Sequence, residues 1–359
     1  MLYYICNDKL PCQLVGNEVF VLPKKQKGGK ILKEKVLKLL KDNKSQFISG
    51  QEISHQLNVS RTAIWKYINA LKEESYEIES VSRKGHKLIS TPDILNYEEI
   101  SEYLTTQYVG REIYYFDSID STNIKAKDLA YNNEADGTVV IAEEQNQGRG
   151  RLGRNWSSPK KMGIWMSIIL KPQIEPQDAV KVTQVAAAAV WKAIAQMGIK
   201  TQIKWPNDIV LNGKKICGIL TEMSGELNRL NYLVVGIGIN TNTNKEDFPE
   251  EIRNMATSIK AETSKEMERK KLLASVLNNF EALYDQLINH SSIEEALIIC
   301  KENSALIGKN VRLIIKGEVK EVEAMDINED GELIVKDKEG NTSKVISGEV
   351  SVRGLYGYA

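Results

Sequence analysis

The sequence has no apolar run of about 18 residues, so nothing in it is long and greasy enough to cross a bilayer as a helix. Near its start Asp8 and Lys9 arrive before an apolar stretch can form, which argues against a secretory signal and predicts a cytosolic protein with no membrane partner. The four cysteines, Cys6, Cys12, Cys217 and Cys300, lie far apart or at a five-residue gap, and His55, His86 and His290 are equally scattered. That scarcity excludes a disulfide framework and a zinc site. No Ser/His or Cys/His arrangement for a covalent nucleophile is recognisable, and no GK[ST] marks a Walker loop. An excess of one charge is also missing: 48 basic side chains face 48 acidic ones, which excludes a wholesale polyanion binder. What remains, 42% hydrophobic and 27% charged over 359 residues, is an ordinary globular composition too long for one core. Two or three domains are expected.

The charge is unevenly spread. Residues 30–90 carry 12 Lys/Arg against 7 Asp/Glu, residues 91–308 carry 24 against 29, and residues 309–359 carry 8 against 10. A basic N-terminal module on a near-neutral body fits a nucleic-acid reader attached to something else, or a solvated helical surface. Residues 1–29 hold an alternating stretch at 18–22, then Pro23, lysines and Gly28-Gly29 that read as a linker. They form an extension of unassigned role.

From Ile31 the spacing of Val36, Leu37 and Leu40 predicts a helix ended by Asp42 and Asn43. Ser49 and Glu52 form a capping box ahead of a second helix over about 51–56, with Asn58 suited to a left-handed turn. Ser60 caps a third over 61–71, whose Ala63, Ile64, Ile68 and Leu71 face inward while Arg61, Thr62, Trp65, Lys66 and Asn69 face outward. A hairpin follows over 76–89, its tip carrying Arg83 and Lys84. Two helices joined by a tight turn, the second lined with basic and amide groups, fit a major groove, and the hairpin makes the unit a winged helix with a phosphate-reaching wing. A three-helix module that binds only protein has the same apolar spacing.

Residues 138–143 and 163–170 read as strands and 180–197 as an Ala-rich helix ended by Gly198. Strands at 201–205, 208–211, 216–222 and 232–240 follow, with an Asn212-Gly213 hairpin turn, so the sheet is mixed or antiparallel. Between the first two strands, residues 145–155 contain three Arg, three Gly and no acid. Glycines let successive N–H groups converge on an anion, and guanidinium groups grip phosphate or carboxylate oxygens in pairs. A polyphosphate or an acyl phosphate is the natural guest, and a flexible surface loop is the bland alternative. Lys204 and Lys215 stand at strand ends, and Asp208 offers one carboxylate to a magnesium ion. Short strands over 309–359 predict a small barrel of SH3 type.

Taken in order, these motifs resemble the bifunctional biotin protein ligase and biotin operon repressor family. They are Ser121, Thr122 and Asn123; Gly148, Arg149, Gly150, Arg151, Leu152, Gly153 and Arg154; Lys204, Trp205, Pro206, Asn207 and Asp208; Lys215 to Gly218; and Gly236 to Asn240. The resemblance covers residues 30–359. It implies an α+β multidomain chain: a winged helix-turn-helix (30–90), a ligase domain with a mixed, class II synthetase-like sheet (91–308) and an SH3-like domain (309–359). It implies that ATP, with Mg²⁺, activates biotin to biotinyl-5′-AMP, which passes to a lysine of a biotin carboxyl carrier domain, and that the same protein represses biotin genes on operator DNA as a homodimer. By that likeness Ser121, Thr122, Asn123 and Gln145 hold the biotin rings. Arg149, Gly150 and Arg151 line the bound biotin and its adenylate, and Lys215 binds the carboxylate. Trp156 stacks on adenine, while Lys204, Asn207, Asp208 and Asn240 lie near metal and phosphate. Arg353 stands where a basic residue of the C-terminal motif is expected. A ligand-sensing regulator without catalysis and a lipoate-type ligase share parts of this pattern. Two features depart from it: residues 1–29 have no counterpart, and Ser75 stands where a glycine commonly closes the recognition helix.

Overall fold

The computed structural model describes residues 12–15, 18–21, 27–44, 46–226, 229–315, 318–347, 350–355 and 357–359. Cys6, the linker expected at 23–26 and Glu349 at the start of the last expected strand lie outside the described residues. The chain divides into two compact units, Met1–Pro92 and Asp93–Ala359.

In the first unit β1 (Cys12–Val15) and β2 (Glu18–Val21) form an antiparallel hairpin, followed by α1 (Lys27–Asp42), α2 (Gly50–Leu57), α3 (Arg61–Glu73) and a second hairpin of β3 (Glu77–Val81) and β4 (Gly85–Ser90). Helix α1 begins earlier than expected, because Gly28 and Gly29 fall in its first turn, where the N–H groups have no intrahelical partner to lose. The caps act as predicted. Ser49 Oγ accepts from Glu52 N at 3.0 Å and Ser60 Oγ from Ala63 N at 3.2 Å, while Asn58 closes α2 at φ 52°. Helix α3 closes through Ser75 at φ 71°, with Tyr76 N donating to Leu71 O at 3.1 Å and Ser75 N to Lys72 O at 3.0 Å. This is the glycine-type cap made by a serine. Val36, Leu40, Ile53, Ile64, Ile68, Leu71 and Leu88 form one core. The β3–β4 wing is strapped to it by a two-way backbone bridge between Ile48 and His86. At Gly85 a Cβ would lie 2.1 Å from Ile48 O, so the strap requires glycine there.

The second unit runs α4 (Tyr97–Ile100), β5 (Ile113–Phe116), α5 (Thr122–Tyr131), β6 (Val139–Ala142), β7 (Gly163–Leu170), α6 (Ala179–Gln196), β8 (Gln202–Lys204), β9 (Asp208–Leu211), β10 (Lys214–Glu226) and β11 (Arg229–Asn240). It continues with α7 (Ile259–Thr263), α8 (Arg269–His290), α9 (Glu294–Glu302), β12 (Asn310–Ile315), β13 (Glu318–Ile327), β14 (Leu333–Lys336), β15 (Thr342–Val345) and β16 (Val350–Gly354). Seven strands form a mixed sheet in the order β5-β6-β7-β11-β10-β9-β8, in which only β5 and β6 pair in parallel. All eight positions of β7 are buried, which requires cover on both faces. Val139 and Ile141 join the core beneath α6 and α8, whereas Val140 joins Ala126 and Ala130 of α5 on the opposite face. The second sheet, β15-β14-β13-β12-β16, is antiparallel throughout, as expected for the C-terminal module. Its Val311, Leu313, Val322 and Leu333 belong to the same apolar cluster as the larger sheet, and Trp205 Nε1 donates to Gly331 O at 2.9 Å.

One buried cation ties the entry of this unit together. Arg269 of α8, fully buried, bonds Asp93 Oδ2 at 2.6 Å, Asp93 O at 2.7 Å, Glu143 Oε2 at 2.7 Å and Gly163 O at 3.0 Å, while Glu143 Oε1 accepts from Leu95 N at 3.0 Å. Among the described residues no helix is long and apolar enough to cross a membrane.

Candidate active site

The Gly/Arg loop leaves β6 at Ala142 and returns as β7. It is folded on itself by Gln145 N to Ser158 O at 3.2 Å, Gly150 N to Arg154 O at 2.7 Å and Trp156 N to Gly148 O at 2.8 Å. At its tip Leu152 (φ 57°) and Gly153 (φ 70°) take the left-handed turn that lets Gly150 and Arg154 meet. A Cβ on Gly148 would stand 2.3 Å from Trp156 O, so this glycine is required by close approach. Trp156 lies on a floor made by glycines of β10 and β11: a Cβ on Gly238 would be 2.5 Å from its Nε1, and one on Gly218 3.0 Å from its ring. The indole stands edge-on to Trp165, with centroids 6.5 Å apart. Its Nε1 is buried without a hydrogen bond, a donor facing a site that offers it nothing from the protein.

Beside that floor, a cleft of about 220 Å³ collects six cationic side chains, Arg149, Arg151, Arg154, Lys204, Lys215 and Arg353, around Asp208, the single carboxylate among its described lining residues. Lys215 Nζ lies 2.5 Å from Asp208 Oδ1 and 5.2 Å from the Trp156 ring centroid. Arg151 donates to Asn207 Oδ1 at 3.0 Å, and Asn207 Nδ2 in turn donates to Ile219 O at 2.7 Å, so the loop is moored to β10 through one amide. Burial alone would raise the Asp208 carboxyl, but Lys215 and Lys204 overcome it and hold it below the usual carboxylate range. Burial, reinforced by Arg353 and Lys215, depresses the Lys204 ammonium to about 7 despite Asp208. Tyr358, which the sequence reading passed over, donates from its hydroxyl to Asp208. Its ring lies 3.5 Å from Lys204 Nζ and 4.8 Å from the Arg353 guanidinium. Phe248, Ile252 and Met255 supply an apolar wall that no motif announced.

The sequence-predicted residues fall into two groups. Gln145, Arg149, Gly150, Arg151, Trp156, Lys204, Asn207, Asp208, Lys215 and Asn240 line the cleft. Ser121, Thr122 and Asn123, at the N-terminus of α5, are not among its described lining residues, and Thr122 connects to it through Gln145. Thr122 N and Oγ1 donate to Gln145 Oε1 at 2.9 and 3.0 Å, and Gln145 Nε2 donates to Ser158 Oγ at 2.8 Å. The Asn123 amide is spoken for at both ends: its Nδ2 donates to Glu222 at 2.9 Å and its Oδ1 accepts from Ser167 at 2.6 Å. It also fills the space left by Gly236, where a Cβ would stand 2.0 Å from its Oδ1. Ser167 and Glu222 are thus residues of this region that sequence reasoning missed. Asn240 is fixed by donation to Thr257 O at 3.0 Å.

Whether Asp208 belongs to a resident magnesium site is a matter of donors. Its oxygens already serve Lys215 and Tyr358, and no group of three or more candidate ligands occurs among the described residues. With those partners in place Asp208 offers an ion one carboxylate, fewer ligands than a resident magnesium site supplies.

In the first unit Arg61, Thr62, Trp65 and Lys66 are exposed on α3, Trp65 by 64%, while Asn69 is half-buried; Arg83 and Lys84 are exposed at the wing tip.

A mixed sheet thus presents a glycine floor, an arginine loop and strand-end lysines to one cleft. The biotin/lipoate A/B protein ligase family matches residues 115–240, an HTH domain family matches 33–87, and the biotin protein ligase C-terminal domain matches 306–353. The bifunctional ligase/repressor BirA of Bacillus spizizenii is 41% identical over 323 residues, covering 89% of this chain and 98% of its own, and that of Bacillus subtilis is 40% identical over the same length. The biotin protein ligase of Aquifex aeolicus solved with biotin and ATP superposes with a TM-score of 0.59 at 29% identity, covering 68% of this chain and 99% of that one. The chain belongs to the bifunctional biotin ligase/repressor family.

Proposed function

We propose that this protein is a biotin protein ligase and a biotin-responsive repressor: it activates biotin with MgATP to biotinyl-5′-AMP, transfers the biotinyl group to a lysine of a biotin carboxyl carrier domain, and binds operator DNA. The observation that carries the reading is the convergence of six cations on one glycine-floored cleft in a chain of this family. A biotin carboxylate oxygen attacks the α-phosphorus of ATP, and the bond to the β-phosphate oxygen breaks to release pyrophosphate. Two anions must therefore approach while negative charge builds. Lys215 meets the carboxylate, Arg149, Gly150 and Arg151 enclose the adenylate, and Lys204 and Asn207 face the phosphates with Asn240 and Asp208 at their edge. Trp156 turns its ring to adenine, and Ser121, Thr122, Asn123 and Gln145 hold the ring system of biotin. Charge-assisted hydrogen bonds of about 1.5 to 3 kcal/mol each let three such cations supply about a thousandfold in rate. The carrier's lysine amine then attacks the acyl carbon of the mixed anhydride and AMP departs, with no enzyme nucleophile.

The DNA-reading part is assigned to residues 30–90, with Arg61, Thr62, Trp65, Lys66 and Asn69 toward base edges and Arg83 and Lys84 toward phosphate. The catalytic part is assigned to 91–308 and the C-terminal module to 309–359, with 1–29 as an extension. A homodimer formed with bound adenylate, working in the cytosol on a palindromic operator, completes the reading. Mass spectrometry of a carrier domain incubated with the protein, ATP, magnesium and biotin tests it: one added biotinyl group is expected, and an unmodified carrier refutes the ligase assignment.

A further inference from the structure

Six cations facing one carboxylate repel each other, and something must keep them apart and aimed. For two of them the structure supplies that element. Lys204 ends β8 in the larger sheet and Arg353 lies in β16 of the smaller one, so no shared strand fixes their spacing. Both stand over the ring of Tyr358, at 3.5 and 4.8 Å from its centroid, and the same residue's hydroxyl donates to Asp208. The ring's negative face attracts each cation where a water shell would otherwise hold it, and Lys204 is left only 2% exposed. Tyr358 reaches this position because the chain doubles back after β16. Arg312 Nη2 donates to Gly354 O at 3.1 Å and Leu355 O at 3.2 Å, and a Cβ on Gly354 would lie 2.9 Å from the backbone of Ala359.

We infer that Tyr358 is a positioning residue of the nucleotide half of the cleft: its ring clamps Lys204 and Arg353 at the spacing offered to the triphosphate of ATP, joining the two sheets into one phosphate site. This rests on the ATP-dependent reading above. It assigns the residue a selective effect, because Tyr358 meets Lys204, Arg353 and Asp208, while Lys215 keeps Asp208 beside it and Gln145 and Thr122 keep each other.

The test is steady-state pyrophosphate release by the full chain, with biotin affinity measured separately by calorimetry without nucleotide. Tyr358→Ala is expected to raise the KM for ATP about tenfold, the scale of one desolvated cation–π contact, with biotin affinity unchanged. Tyr358→Phe keeps the ring and is expected to recover most of that loss. An unchanged or lowered KM for ATP in Tyr358→Ala overturns the proposal, as does an equal loss of biotin affinity or a phenylalanine variant no better than the alanine one. If the unmodified protein releases no pyrophosphate from ATP with biotin, the ATP-dependent reading fails first and takes the clamp with it.

Discussion

Two regions of this molecule concentrate positive charge, and they use it in opposite ways. On α3 and the wing, Arg61, Lys66, Arg83 and Lys84 stand in solvent on the outer surface. In the cleft, Lys204 and Lys215 are sunk against Asp208, an indole and a phenol ring, and burial has shifted Lys204 far from its ordinary value. Solvated cations attract a polyanion over a screening length and yield to salt, whereas desolvated ones act at contact distance and keep their strength. The first kind suits a long, regular phosphate backbone and the second a few phosphate oxygens at one reacting centre.

Removing Lys215 should break the comparison on the buried side most severely. Lys215→Ala deletes the cation 2.5 Å from Asp208 and is expected to slow adenylation about a hundredfold or more, read as pyrophosphate release. Asp208 keeps Lys204 and Tyr358 as neighbours, so a folded protein should remain in a melting curve. On the exposed side, Arg83→Ala with Lys84→Ala should weaken operator retention several-fold and lower the slope of log affinity against log salt by about two. Adenylation should stay as it was, and a salt slope that does not change would take the wing off the DNA.

A subtler effect sharpens the contrast. Below pH about 7 Lys204 carries its charge, and above it the free protein loses one cation from the cleft. The KM for ATP should therefore rise between about pH 7 and 9, and ATP binding should take up protons, measurable by calorimetry in buffers of different ionisation enthalpy. The stability term has the matching sign. A folded value below the unfolded one penalises the charged form, so this group costs stability most below 7 and progressively less as pH climbs toward the ordinary lysine value. The smallest expected effect lies at Ser75, whose φ of 71° favours glycine: Ser75→Gly should stabilise the first unit by about 0.5 to 1 kcal/mol in denaturant unfolding.

How much of this was legible in the sequence follows from how local each signal is. Caps and turns are decided by neighbours within four residues, and Ser49, Ser60, Asn58 and the Asn212-Gly213 turn take the roles read from their chemistry. Residues 163–170 form a strand end to end because six apolar side chains among eight buried positions, set between turn residues, leave few alternatives. Helix α8 is legible as an element, since Leu273, Val276, Leu277, Phe280, Leu283, Tyr284 and Leu287 carry a plain helical stripe, but it holds no motif that ties it to the site. Tyr358 could not have been found by pattern. It belongs to no motif, and its meaning comes from a fold-back across 150 residues of sequence to Asp208. The partners of the Asn123 amide, Ser167 and Glu222, were equally hidden, since no spacing rule connects them to it.

The guanidinium of Arg269 sets where this protein can be taken apart. It grips Asp93, the first residue of the second unit, by both side chain and backbone, and Glu143 at the root of the Gly/Arg loop. A scissile or fusion point after Pro92 leaves that grip whole. Moving it four residues onward strips two of its ligands from a fully buried ion and slackens the anchor of the loop, so a graft that exchanges one DNA reader for another must splice ahead of Asp93.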